Sequence, residues 1–235
     1  MKNLFVSVFC IVLSINLMAQ LSPFLEKGQS GLGFSAGAEK GYGFNGVFAT
    51  VGTSIKGNLD WDVDYFSDKY DKAENGLLDN AKANYWSTHL TWYIIKSQLS
   101  PFLAVNVGLR PGFEQSSKSN YRYNDPETAK IVENKGYSGG LFGIGSNVTF
   151  NLPKNWLLQP SYGIEYQFGN DKELSSNVES KTSYAGVASN LGITLAKKLE
   201  GANIFYFTFR QFADTYNSGT YYSFAIGYVL PFKKN

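Results

Sequence analysis

Tyr221-Tyr222-Ser223-Phe224-Ala225-Ile226-Gly227-Tyr228-Val229-Leu230-Pro231-Phe232 divides into two interleaved faces. Tyr222, Phe224, Ile226, Tyr228, Leu230 and Phe232 fall on one; Tyr221, Ser223, Ala225, Gly227 and Val229 fall on the other. Strict two-residue alternation is the mark of a β-strand with unlike surroundings on its two sides. Here the bulky face is largely aromatic and the opposite face mostly small. Lipid on one side and a crowded lumen on the other would select that pattern.

The same alternation recurs upstream. It predicts strands over residues 30–38, 47–56, 59–66, 84–96, 101–110, 137–152, 156–168, 182–196 and 203–213, with 221–232 as the tenth. In the third, Leu59, Trp61, Val63 and Tyr65 alternate with Asp60, Asp62 and Asp64. Short turns at 57–58, 97–100, 153–155 and 197–202 alternate with longer polar stretches at 67–83, 111–136 and 169–181. Glycine, serine and asparagine fill the polar face, where glycine would weaken a water-exposed strand. A narrow barrel needs such small residues inside. The expected fold class is therefore all-β: an antiparallel up-and-down transmembrane β-barrel of about ten strands. Trp61, Trp86, Trp156, Tyr166 and Tyr228, on the outer face, would form its aromatic girdle.

The chain ends fit this reading. Lys2, the apolar run 4–17 and Leu17-Met18-Ala19 make a secretory signal peptide, expected over residues 1–20 and removed near Ala19 or Gln20. Residues 21–235 would then be one barrel domain without cysteine, because Cys10 leaves with the signal. Net charge is +2, so nothing draws the chain to nucleic acid. Aromatics at 16% and 24 glycines in 235 residues, with only 43% hydrophobic content, argue against a helical membrane protein. Short turns on one side and longer stretches on the other put both termini in the periplasm of a multi-pass protein.

Gly227, Leu230 and Phe232, spaced Gly-x-x-Leu-x-Phe, resemble the C-terminal signal read by the barrel-assembly machinery. Ala225 stands where a polar residue is usual, and Lys233-Lys234-Asn235 follow. With the strand rhythm and the signal peptide, the chain resembles the small outer-membrane β-barrel domain family of Gram-negative bacteria. That resemblance implies outer-membrane lipid and lipopolysaccharide as surroundings and the assembly machinery as partner. It carries no activity.

Reactive motifs are few. Gly41-Tyr42-Gly43-Phe44-Asn45-Gly46 has dinucleotide-loop spacing but precedes a strand, where a helix is required. The run from Asp60 to Asp64 begins like a calcium loop, yet Tyr65 takes the place of the required glycine. No cofactor and no metal are expected. By parity Lys56, Asp60, Asp62, Asp64, His89, Arg110, Glu165 and Arg210 should form a lumenal charge network, since buried charges must be paired. His89, the lone histidine, shares its face with Ser87, a possible nucleophile–base pair. Lys118, Arg122, Lys130 and Lys135 are candidates for lipopolysaccharide phosphates. The expected role is structural or surface interaction through the outer loops, with an unidentified external partner. A narrow channel for ions or small solutes is the alternative, and a hydrolase acting on lipid A or peptides a third.

Overall fold

The computed structural model describes residues 24–25, 28–72, 77–125, 130–214 and 219–232. The expected signal peptide lies outside them, as do Lys233, Lys234 and Asn235. The strands are β1 (Gly31–Gly41), β2 (Phe44–Ile55), β3 (Leu59–Tyr70), β4 (Ala81–Ser100), β5 (Leu103–Ser119) and β6 (Arg122–Asn124). They continue as β7 (Ile131–Leu152), β8 (Trp156–Ser175), β9 (Val178–Lys198), β10 (Ile204–Asp214) and β11 (Gly219–Pro231). All pairings are antiparallel, and β5 pairs with β7 past the three-residue β6. β1 closes the sheet on β11 in unbroken register from Gly31↔Pro231 to Gly41↔Tyr221. The result is a closed barrel of ten strands.

One rim, here called proximal, carries residue 31, residue 231 and the turns near 56–58, 101–102, 153–155 and 199–203. The opposite, distal rim carries the turns at 42–43 and 176–177 and the strand ends Tyr70, Ala81, Ser119, Ile131, Asp214 and Gly219. Lys56 and Gly57 turn with φ of 52° and 62°, Ser176 and Asn177 with 50° and 65°. Left-handed residue pairs suit two-residue hairpins because their twist matches that of the flanking strands.

The exterior is apolar all round. Val51, Leu90, Ile144, Ile164, Ile193 and Ile226 project from its middle and are exposed. Phe34, Trp61, Trp92 and Phe150 lie toward the proximal rim; Tyr65, Trp86, Phe113, Phe142, Tyr166, Phe168, Phe209, Tyr222 and Phe224 lie distally. On β8 the band runs from Leu158 to Phe168, about 33 Å along the strand and roughly 25 Å along a tilted barrel axis. A water-soluble monomer does not carry a continuous apolar belt of that extent. Burying each large side chain in lipid is worth about 1.5–3 kcal/mol.

Three expectations need correction. The polar stretch 169–181 is not a loop: β8 and β9 run through it to a turn at Ser176 and Asn177. Much of 111–136 is likewise the continuation of β5 and β7. Apolar alternation fades where strands leave the lipid band, whereas backbone pairing continues. Lys56 is also misplaced by parity. β2 ends at Ile55, and Lys56 sits exposed in the left-handed turn rather than in the lumen.

Strands approach each other closely around Gly37. A Cβ there would lie 2.1 Å from the Phe224 carbonyl oxygen and 2.6 Å from Phe48 Cζ. Gly37→Ala must therefore push the β1 and β11 backbones apart. We expect it to lower folding stability by about 1–3 kcal/mol in urea titrations of the detergent-solubilised barrel; an unchanged midpoint would contradict this packing.

Candidate functional site

The lumen is the candidate site, because the charged and reactive side chains gather there. β3 alternates out and in, so Asp60, Asp62, Asp64 and Asp68 all point inward and are buried. Its register with β4 sets Asp60 opposite Thr91, Asp62 opposite His89 and Asp64 opposite Ser87. His89 Nδ1 lies 2.9 Å from Asp62 Oδ1 and 3.1 Å from Asp64 Oδ2. From β5, Arg110 reaches Asp62 Oδ1 through Nη2 at 3.1 Å and Asp64 Oδ2 at 3.9 Å. From β8, Glu165 Oε2 stands 4.0 Å from Arg110 Nη1, and Gln167 donates to Glu165 at 2.7 Å. Thr50 and Ser87 donate to Asp64 at 2.5 and 3.3 Å. Tyr93 donates to Asp60 at 3.0 Å.

Five of the eight residues expected from parity thus meet in one cluster: Asp62, Asp64, His89, Arg110 and Glu165. Asp60 sits one step toward the proximal rim, on Tyr93. Arg210 is half-buried on β10 and makes no ion pair within 4.0 Å among the described residues. Lys56 is outside the lumen, as noted above.

Two chemical readings of the cluster can be weighed on its geometry. Ser87 and His89 do not form a nucleophile–base pair: the serine hydroxyl donates to Asp64, and His89 Nδ1 is taken by the two aspartates. An activated nucleophile needs a hydrogen bond to its base. Ligand atoms of Asp62, Asp64 and His89 lie within 4.8 Å of one another, close enough for a cation. Arg110 already supplies positive charge at Asp62, and a metal ion there would face the guanidinium.

Other lumenal side chains form layers that the sequence reading did not single out. Toward the proximal rim, Phe24, Leu25, Leu157, Ala196, Ile204, Tyr206 and Val229 form a hydrophobic cluster. Phe24 stacks on Tyr206 at 5.4 Å, and Lys96 Nζ donates to the carbonyls of Leu25 and Gly57 at 2.8 and 2.7 Å. Residues just after the expected cleavage point therefore line that mouth. Tyr206 also covers Gly227, where a Cβ would lie 2.1 Å from the ring. Gly227 thus has a packing reason to be glycine, whereas Leu230 and Phe232 face outward. Above the cluster, Asn106 bonds Asn147 at 2.8 Å, Gln159 bonds Thr149 at 2.8 Å and Thr194 bonds Thr208 at 2.7 Å. Distally, Tyr137 donates to Glu114 at 2.5 Å, Tyr70 meets Tyr85, and Tyr137 packs on Tyr85 and Tyr184. Parity would have found Glu114, but the stretch holding it read as loop.

The basic residues of 111–136 are mostly occupied. Arg122 pairs with Asp79, Lys135 with Glu133, and Lys118 lies 4.5 Å from the Tyr121 ring centre.

Comparison with known proteins agrees with this architecture. The beta domain of the Bordetella autotransporter BrkA superposes with a TM-score of 0.52 at 13% identity, covering 88% of this chain and 100% of that one. The translocator domain of the autotransporter NalP from Neisseria meningitidis gives 0.50 at 12% identity, over 87% and 88% of the two chains. The outer membrane protease OmpT from Escherichia coli aligns over 87% and 95% at 10% identity, with a TM-score of only 0.37. No family model and no curated protein matches the sequence. The likeness is therefore one of fold: a closed, antiparallel β-barrel.

Removing one partner from a buried ion cluster strands the others. Arg110→Met leaves Asp62, Asp64 and Glu165 short of a cation and should cost about 3–5 kcal/mol. Adding Asp62→Asn should recover part of that loss in a double-mutant cycle read by thermal unfolding in detergent. Strict additivity would contradict the network.

Proposed function

We propose that this chain is an integral, multi-pass protein of a Gram-negative outer membrane. It acts as a sealed anchor that presents its distal strands to partners outside the cell. Both termini face the periplasm. The observation that carries this reading is the series of side-chain layers across the lumen: a hydrophobic cluster at one mouth, an ion network in the middle and tyrosines above. Side chains largely fill barrels near this size, leaving little free bore. A cavity of about 270 Å³ opens at the proximal rim between Leu25, Lys96, Asn106 and Thr149. It belongs to the mouth that Phe24 and Leu25 occupy.

The distal side supports a display role. β5, β7, β8 and β9 continue well past the apolar band, and β9 runs beyond the end of β10, whose Asp214 pairs with Ala188. Val178 to Ser183 are exposed there and pair with β8. An extended, polar sheet raised above the bilayer is a surface for contact. The longer distal connections, 71–80 and 120–130, favour the outward orientation of this rim.

Purified protein in a planar bilayer at physiological salt should give no conductance steps. Reproducible ohmic steps would overturn the sealed-anchor reading in favour of a narrow channel.

A further inference from the structure

On three strands the outer face follows one pattern where it leaves the apolar band. Counting distally in steps of two residues, β3 shows Tyr65, Ser67, Lys69; β4 shows Trp86, Asn84, Lys82; β8 shows Phe168, Asn170, Lys172. An aromatic ring is followed by a small polar residue and then by a lysine. The middle members satisfy their neighbours: Tyr65 donates to Asn84 at 3.2 Å, and Ser183 of β9 donates to Asn170 at 3.0 Å. The lysines have no such partner. Lys69, Lys82, Lys172 and Lys181 make no ion pair among the described residues.

Register makes this costly. Lys69 lies directly opposite Lys82, and Lys172 directly opposite Lys181. Like charges facing across a strand pair destabilise a sheet, with their Cβ atoms only about 5 Å apart. An anion bridging each pair would remove that cost. Four residues beyond the aromatic belt is about 13 Å along a strand, and less along a tilted axis. Lysine stems can reach back along apolar surface toward the headgroup level. The neighbouring anion at that height is a lipid phosphate.

We infer that these two lysine pairs, on faces of the barrel four strands apart, bind the phosphates of an anionic glycolipid in the leaflet around the distal rim. The site differs from the basic residues of 111–136, which are engaged as described. The inference rests on the membrane reading above and adds a ligand class to it: each pair clamps one phosphorylated headgroup, and the aromatic belt packs against its acyl chains.

The test uses the barrel in phosphatidylcholine nanodiscs doped with bisphosphorylated lipid A or with its dephosphorylated form. The four native tryptophans report thermal unfolding. The wild type should unfold several degrees higher with the phosphorylated lipid, and 1 M salt should shrink the difference. Lys69→Gln/Lys82→Gln/Lys172→Gln/Lys181→Gln should lose most of that shift. Lys56→Gln/Lys154→Gln, at the proximal rim, should keep it. Inorganic phosphate with undoped nanodiscs should give no shift, which separates a lipid site from a free-anion site. An equal shift in the quadruple variant, or equal unfolding of the wild type in both lipids, would overturn the inference while leaving an inserted, folded barrel intact. Failure to enter nanodiscs at all would instead sink the membrane reading.

Discussion

Hydrocarbon offers no water to an unpaired amide, so a sheet that faces lipid must leave no edge. Everything else in this chain follows from that requirement. β1 and β11 meet in full register along eleven residue pairs from Gly31 to Gly41. Ten strands closed in this way enclose little room, and the lumen must be filled by what the inward positions carry. Bulky groups go out, where Ile, Leu and Trp gain from lipid; glycine, serine and asparagine go in. At Gly37 and Gly227 the space left for a side chain is nil.

The interior then has its own problem. β3 delivers four aspartates to a space shielded from water. The structure answers with cations and hydroxyls from separate strands: His89 and Ser87 from β4, Arg110 from β5, Thr50 from β2, Tyr93 further down. Such a cluster ties distant strands together, and its cost when broken exceeds its value when intact. Geometry of this kind holds a barrel in one register. On the function proposed above, the barrel serves as a platform whose contacts lie on its outside, at the lysine pairs and on the polar strands beyond.

Much of this was legible from residue order. Alternation gave the strand count, the facing of the final strand and the inward aspartates, because a period of two assigns sides without further information. It failed wherever the environment on the two sides became alike. Past the apolar band both faces of β8 and β9 carry polar residues, so 169–181 looked like a loop although every residue from Asn170 to Ser175 is paired. Parity also failed at Lys56, where the strand had already ended. Which of the inward charges would meet was never readable from sequence. Arg110 and Glu165 belong to strands far apart in the chain, and only closure brings them together. The lysine pairs were missed for the same reason: Lys69 and Lys82 are unremarkable until β3 and β4 are set in register.

The central claim is the direction of burial, greasy side out. All four tryptophans, Trp61, Trp86, Trp92 and Trp156, lie on strands with their rings on the outer side. Reconstitution into phosphatidylcholine with brominated acyl chains should quench most of their fluorescence, and aqueous iodide should quench little of it. Strong quenching by iodide with none from the brominated chains would mean that the face assigned to lipid meets water instead, and would contradict the account.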